Sequence, residues 1–134
     1  MTPTARFLVG IDLGTTHAVV AYIDLHADQT ELAPVVFEIE QLVAPGTLAR
    51  KPLLPCLRYH AAEGELADHD IALPWNPLDL PGEMPRVVIG EWAGLMGART
   101  SGRLVASAKS WLSHPHIDQD RACLPWGATE EDTG

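Results

Sequence analysis

Basic residues, cysteines and long apolar runs are all scarce in this chain, and each scarcity excludes a class of protein. Nine Lys and Arg stand against 18 Asp and Glu, so the formal net charge is −9. A charge of this sign repels nucleic acid and anionic lipid. Two cysteines, Cys56 and Cys123, are too few for a disulfide scaffold and match no metal-ligand spacing. No stretch approaches the ~18 apolar residues of a membrane span. We therefore expect no nucleic acid partner, no membrane partner and a cytoplasmic, reducing location.

The residues that are present suit an ordinary folded domain. The chain has 134 residues, of which 46% are hydrophobic, and folding at this size buries roughly two thirds of the surface of the unfolded chain. Stability then needs neither a disulfide nor a structural metal. With so negative a charge, a phosphate ligand would need a local site.

Short apolar runs predict most of the secondary structure. The runs at 7–12 and 18–24 flank Leu13-Gly-Thr-Thr-His17, a pattern that predicts a strand, a tight turn and a second strand. Further patterns predict a strand at 34–40, a loop at 43–51, an edge strand carrying Pro55 at 53–59, an irregular excursion at 61–85 and a strand at 86–90.

The clearest helical pattern begins at Ser101, a candidate N-cap, and extends to Ser113. Its apolar residues share one face of a helix and are Leu104, Val105, Ala108, Trp111 and Leu112. Lys109 lies beside this stripe.

The first turn has the chemistry of a phosphate site. Gly14 permits close approach of the backbone, Thr15 and Thr16 bring hydroxyls, and consecutive N–H groups can donate to an anion. Asp12 would repel a triphosphate unless Mg²⁺ lay between them, and that ion usually keeps several waters. The two-glycine Lys-Ser/Thr phosphate loop and the GxGxxG fingerprint are both absent. A purely structural hairpin is the alternative, because Asp, Gly and Thr are common in turns.

Three segments in the same order resemble the DnaK-type, 70-kDa heat-shock chaperones of the actin-like ATPase superfamily. They are Val9 to Asp24, which is similar to the first phosphate motif, Val88-Ile-Gly-Glu-Trp-Ala93, and Ala106-Ser-Ala-Lys-Ser-Trp-Leu112. The first motif is shared by several branches of the superfamily, whereas the ordered set is more specific to chaperones.

The resemblance implies a role for each matching residue. Asp12 would hold Mg²⁺ through water, Gly14 would let the turn close, Thr15 and Thr16 would contact the β- and γ-phosphates of ATP, and Lys109 would act as the catalytic lysine at the γ-phosphate. The alternative for Lys109 is a solvated residue on the flank of a helix.

The chain also departs from the family pattern. His17, which we also expect among the cofactor-binding residues, stands with Ala18 where many relatives have Asn or Tyr followed by Ser. The loop Pro52-Leu-Leu-Pro-Cys56 keeps only the proline of the family's Arg-Thr-Thr-Pro-Ser, and we assign no site residue to it.

These matches predict a mixed α/β fold, part of an actin-like ATPase or ribonuclease H-like lobe with a hairpin-rich sheet and a smaller α+β subdomain. Residues 1–41 would begin the core sheet, and residues 42–134 would form the flanking subdomain with the lysine-bearing helix. A second phosphate turn and a peptide-binding domain have no counterpart in the sequence. We therefore expect a fragment that hydrolyses no ATP alone, from a parent ATPase whose partners are unfolded peptides and co-chaperones.

Three further expectations stay open. The exposed strand edges of such a fragment leave dimerisation or strand swapping open to it. A sugar kinase of the same superfamily is an alternative parent, because it shares the Asp-x-Gly-Thr-Thr hairpin. An actin-like filament subunit or interaction module is a non-enzymatic alternative, and nucleotide-dependent polymerisation would distinguish it.

Overall fold

Strands dominate the described part of the chain, which covers residues 5–28, 32–74 and 86–116 of a computed structural model. The strands of these ranges are β1 Phe7–Leu13, β2 His17–Asp24, β3 Val35–Phe37, β4 Ile39–Ala44, β5 Thr47–Lys51, β6 Leu54–Pro55, β7 Leu57–His60, β8 Val87–Ile89 and β9 Leu104–Ala106. The helices are α1 Glu91–Gly97 and α2 Ala108–Trp111, and a 3₁₀ turn covers Ser101–Arg103. Every strand pair is antiparallel, so the fold is mixed α/β with several small sheets and few helices. No helix in these three ranges has the length and apolar character to cross a bilayer.

The first sheet is built on the hairpin that the sequence predicts. β1 pairs with β2 from Phe7 opposite Asp24 to Leu13 opposite Ala18. β3 and the two-residue β6 pair with the other edge of β2, and β6 lies beside the start of that strand. β1 is therefore an edge strand, and the turn into β2 lies close to β6.

Both faces of this first sheet expose apolar side chains. Alternate residues of a strand point to opposite faces, yet every residue of β1 is exposed, including Leu8 at 58% and Ile11 at 63%. Val36 and Phe37 of β3 are each 50% exposed. A sheet with apolar residues on both faces normally lies inside a larger structure, with cover on each side.

The buried core of the described residues lies outside the first sheet. β7 is the central strand of the sheet β8–β7–β9, and α1 packs against β7, β8, β9 and β4. The core residues are Leu42, Tyr59, Leu66, Val88, Trp92 and Ala93. The first sheet contributes none of them.

The prediction of a loop at 43–51 is wrong for most of this segment. β4 and β5 form a hairpin, and only Pro45-Gly46 lies in the turn between them. Leu42 and Gln41 of β4 are buried, so packing stabilises a hairpin in a segment whose Pro, Gly and basic residues are typical of a loop. The edge strand predicted at 53–59 is split, since β6 is an edge strand but β7 lies at the centre of its sheet.

The predicted helix at Ser101–Ser113 is also wrong. Ser101 begins a 3₁₀ turn, residues Leu104–Ala106 form β9, and only Ala108–Trp111 are helical. Val105 is buried and lies opposite Arg58 of β7. The strand wins because pairing with β7 completes a sheet, whereas a helix in this segment would leave that edge of β7 unpaired.

The irregular excursion predicted at 61–85 is confirmed as far as it is described, because residues 61–74 contain neither helix nor strand. Arg86 holds this segment with hydrogen bonds from its guanidinium to the Leu66 carbonyl oxygen and to Asp68 Oδ1 at 2.7 Å. The part from 75 to 85 lies outside the described residues.

The core tyrosine gives the fold a pH dependence. Tyr59 is 1% exposed and donates a 2.9 Å hydrogen bond from its hydroxyl to Glu65 Oε1. Burial, and then the neighbouring carboxylate, raise the pKa of Tyr59. A folded pKa above the unfolded value of about 10 stabilises the fold below that pH, and this contribution is lost as the pH rises through the folded pKa.

We expect urea unfolding between about pH 9 and 11 to show a smaller loss of stability in Tyr59→Phe than in the wild type, since phenylalanine has no proton to lose. At pH 7 the same variant should be about 1 kcal/mol less stable, because the Glu65 hydrogen bond is gone. Tyr22→Phe, which keeps the Tyr59–Glu65 pair, is the matched control. An identical pH dependence in Tyr59→Phe and the wild type would contradict this assignment.

Candidate functional site

The turn between β1 and β2 contains only Gly14, Thr15 and Thr16. A Cβ atom built on Gly14 would lie 2.6 Å from the carbonyl oxygen of His17, closer than real Cβ atoms approach. Glycine is therefore required here by lack of space. The two threonines are exposed, as expected for residues that would meet a ligand.

Lys109 reaches this turn from the other end of the described chain. It lies in α2, and its Nζ donates a 2.6 Å hydrogen bond to the carbonyl oxygen of Leu13, 96 residues earlier. Leu13 is the last residue of β1 and precedes Gly14. The structure thus brings the predicted lysine to the predicted turn, although the helix that carries it is only four residues long.

Asp12 supplies the carboxylate of the site. It lies in β1 opposite Val19 and is exposed, and its side chain makes no hydrogen bond or ion pair with the described residues. Those ranges contain no cluster of three or more His, Cys, Asp or Glu that could hold a metal. One free carboxylate fits a Mg²⁺ ion bound through water, because such ions usually take most of their ligands from water and substrate phosphates.

His17 is the first residue of β2 and lies at the exposed end of the turn. Its Nδ1 is 3.2 Å from the hydroxyl oxygen of Thr16, a distance that allows a hydrogen bond. In one tautomer the imidazole accepts a hydrogen bond from the Thr16 hydroxyl, and in the other it donates a hydrogen bond to the hydroxyl oxygen. Either bond orients the hydroxyl.

Cys56 also contacts the turn, although no motif of the sequence assigned it to the site. Its backbone N–H donates to the carbonyl oxygen of Thr16 at 2.8 Å, and its thiol donates to the carbonyl oxygen of Gly14 at 3.3 Å. Both contacts follow from the pairing of β6 with β2, which sets Pro55 opposite His17. The signal available beforehand was the retained proline of this loop, Pro55.

A cleft of about 430 Å³ opens beside the turn. Its lining includes Thr15, Thr16, Cys56, Glu91 and Ser107. Glu91 is paired with Lys51 at 3.4 Å. Lys51 offsets the negative charge of this carboxylate. An anion at the turn would therefore meet less repulsion than the net charge of the chain suggests.

A larger depression of about 640 Å³ lies elsewhere, on one face of the first sheet. Val9, Tyr22 and Phe37 line it, with Arg6 and Asp24 paired at 3.0 Å at its rim. It contains none of the residues predicted to bind phosphate. Volume alone therefore does not identify the site in this chain.

The predicted site residues thus fall into one place in the structure. Asp12, Gly14, Thr15, Thr16 and His17 follow one another along the hairpin, and Lys109 joins them through Leu13. The arrangement offers hydroxyl and amide donors, one ammonium and one carboxylate around a short turn. Comparison with known proteins finds no matching family model, no similar curated protein and no similar solved structure.

Proposed function

We propose that this chain is the N-terminal part of the nucleotide-binding domain of an ATP-dependent chaperone of the DnaK type. The observation that carries the proposal is the hydrogen bond from Lys109 to Leu13, which joins a turn and a lysine that the sequence had linked only by resemblance. This contact supports the proposal because it holds the Lys109 ammonium beside the turn that would bind phosphate.

In the proposed site, the turn binds the phosphates of ATP and Asp12 holds Mg²⁺ through water. Bound Mg²⁺ would supply positive charge that offsets the triphosphate. The hydroxyls of Thr15 and Thr16 face the β- and γ-phosphates, and Lys109 neutralises charge on the γ-phosphate. Phosphoryl transfer depends mainly on positioning and on such charge stabilisation.

The exposed first sheet supports the view that the chain is part of a larger actin-like or ribonuclease H-like domain. Its apolar side chains on both faces, such as Leu8 and Ile11, need cover that the described residues do not provide. In this proposal, residues 1–41 belong to the core sheet of the larger domain and residues 42–134 to a flanking subdomain. The parent is a cytoplasmic ATPase that acts on unfolded peptides with co-chaperones.

Binding of nucleotide to the chain tests the phosphate turn directly. MgATP titrated into ¹⁵N-labelled chain to millimolar concentration should shift the amide signals of Thr15, Thr16 and His17, while Mg²⁺ alone should not. Calorimetry should show affinity weaker than micromolar, because in this proposal the rest of the nucleotide site belongs to other parts of the larger domain. Unmoved turn signals would contradict the phosphate assignment, and micromolar or tighter binding would contradict the fragment assignment.

Lys109 can be tested in the full-length protein. Replacing it with alanine should leave ATP binding largely intact and lower single-turnover hydrolysis at least tenfold, or about 1.4 kcal/mol of barrier. The matched control is Lys51→Ala, since Lys51 is the other lysine of the chain and pairs with Glu91 instead of the turn. Equal hydrolysis rates in Lys109→Ala and Lys51→Ala would remove Lys109 from the mechanism.

A further inference from the structure

We infer that the Cys56 thiol is a positioning group, which orients the backbone amides of the turn toward a polyphosphate. This inference rests on the proposed function, because it names the part of the same site that sets the direction of its donors. It concerns a residue that touches the turn and not the ligand.

The turn and the residue before it are anchored through their carbonyl groups. The Leu13 oxygen accepts from Lys109 Nζ, the Gly14 oxygen accepts from the Cys56 thiol, and the Thr16 oxygen accepts from the Cys56 N–H. Cys56 therefore provides two of the three anchors.

Anchoring a carbonyl also fixes the amide that follows it. In a trans peptide the C=O of one residue and the N–H of the next lie in one plane and point in opposite directions. Because the Gly14 oxygen accepts a hydrogen bond from the thiol, the N–H of Thr15 points away from Cys56. Because the Thr16 oxygen accepts a hydrogen bond from the Cys56 N–H, the N–H of His17 also points away from Cys56. Both donors are turned to the side of the turn opposite Cys56.

The Thr15 and His17 amides, held on the same side of the turn, present two backbone donors to an anion. Donors fixed before the ligand arrives bind more tightly than mobile donors, because less conformational freedom is lost on binding. The thiol is the adjustable part of this arrangement, since substitution of the side chain removes the contact to Gly14 and leaves the backbone contact to Thr16.

Serine and alanine at position 56 separate these contributions. Cys56→Ser keeps a donor, whereas Cys56→Ala has none, and both keep the N–H that binds the Thr16 oxygen. Cys123→Ala removes the other cysteine of the chain and is the matched control. We use magnesium tripolyphosphate as the probe, because it presents phosphates without a nucleoside.

We expect tripolyphosphate to shift the Thr15 and His17 amide signals in the wild type and in Cys123→Ala. The apparent affinity should fall three- to tenfold in Cys56→Ala and return to within about twofold of the wild type in Cys56→Ser. Without ligand, ¹⁵N relaxation should show lower order at Thr15 in Cys56→Ala, with order regained in Cys56→Ser.

The two measurements separate failure of the inference from failure of the proposed function. If wild type and Cys56→Ala bind equally and have equally ordered turns, the positioning role of the thiol is wrong while the phosphate site stands. If Cys56→Ser is as weak as Cys56→Ala, donation to Gly14 is not the cause and the inference is again overturned. If the wild type binds no tripolyphosphate, the phosphate turn itself is wrong and the inference falls with it.

Discussion

Replacing Gly90 with alanine is expected to lower the free energy of unfolding by about 3 kcal/mol. Gly90 immediately precedes α1 and has φ 83° and ψ −144°, a conformation that side-chain-bearing residues rarely adopt. A Cβ atom there would also lie 2.7 Å from Gln41 Oε1 and 2.9 Å from Leu54 Cδ1. Backbone strain and overpacking therefore add at this position.

The contact with Gln41 makes the substitution costly, because that side chain has no freedom to move. Gln41 is 2% exposed, its Nε2 donates to the Leu53 carbonyl oxygen at 2.8 Å, and its Oε1 accepts from the Glu91 N–H at 3.0 Å. Moving the amide would leave buried polar groups unpaired. A change at Gly90 thus disturbs β4, the segment before β6 and the first turn of α1 together.

Urea unfolding followed by circular dichroism would measure the loss. Gly102→Ala is the matched control, since a Cβ on Gly102 meets no atom within 4 Å and its φ is not positive. That variant should stay within about 0.5 kcal/mol of the wild type. A Gly90→Ala protein as stable as Gly102→Ala would show that the backbone at α1 can relax without cost.

Local pattern was enough to predict the β1–β2 hairpin and β8. The β1–β2 hairpin followed from two apolar runs around a three-residue turn, and its pairing is between neighbours along the chain. β8 followed from the run 86–90, a short apolar segment ended by glycine, although its partner β7 lies 27 to 31 residues earlier. In both cases the local preference and the final structure agree.

The errors lie where a distant partner decides between two local preferences. Leu104 and Val105 fit an apolar helix face, but they also fit a short strand, and pairing with β7 more than 40 residues earlier selects the strand. Ser107, with φ 51°, then separates β9 from α2. The sequence pattern here fits both a helix and a strand, and only the tertiary contact with β7 decides between them.

The same limit explains what was found and missed in the site. Turn residues from Gly14 to His17 are adjacent in sequence, so their shared chemistry was visible. Cys56 contacts the turn only because β6 pairs with β2. No spacing in the sequence predicts this pairing. Lys109 was identified by resemblance, and its contact with Leu13 depends on how α2 is placed.

Replacing Gly14 with alanine is expected to remove the proposed phosphate binding and to lower the free energy of unfolding by about 2 kcal/mol. The new Cβ would meet the backbone oxygen of His17 at 2.6 Å, and backbone cannot swing aside as a long side chain can. Relief requires the turn to open. Opening would draw the Gly14 carbonyl oxygen away from the Cys56 thiol and turn the Thr15 amide with it.

Gly10→Ala supplies the matched control for this prediction. Gly10 lies in the same hairpin, within β1, and a Cβ there meets no atom within 4 Å. Alanine loses less conformational freedom than glycine on folding, so Gly10→Ala should be at least as stable as the wild type and should show the wild-type shifts with MgATP.

Comparing stability and binding across the two variants separates the structural role of the turn from its proposed ligand. A Gly14→Ala protein that is destabilised but still shows MgATP shifts at Thr15 and His17 would mean that the turn tolerates opening, which would contradict a site built on fixed amides. A protein with unchanged stability and lost binding would place the added methyl group in the path of the phosphates instead of against His17. Only loss of both fits a turn whose closure at Gly14 creates the site.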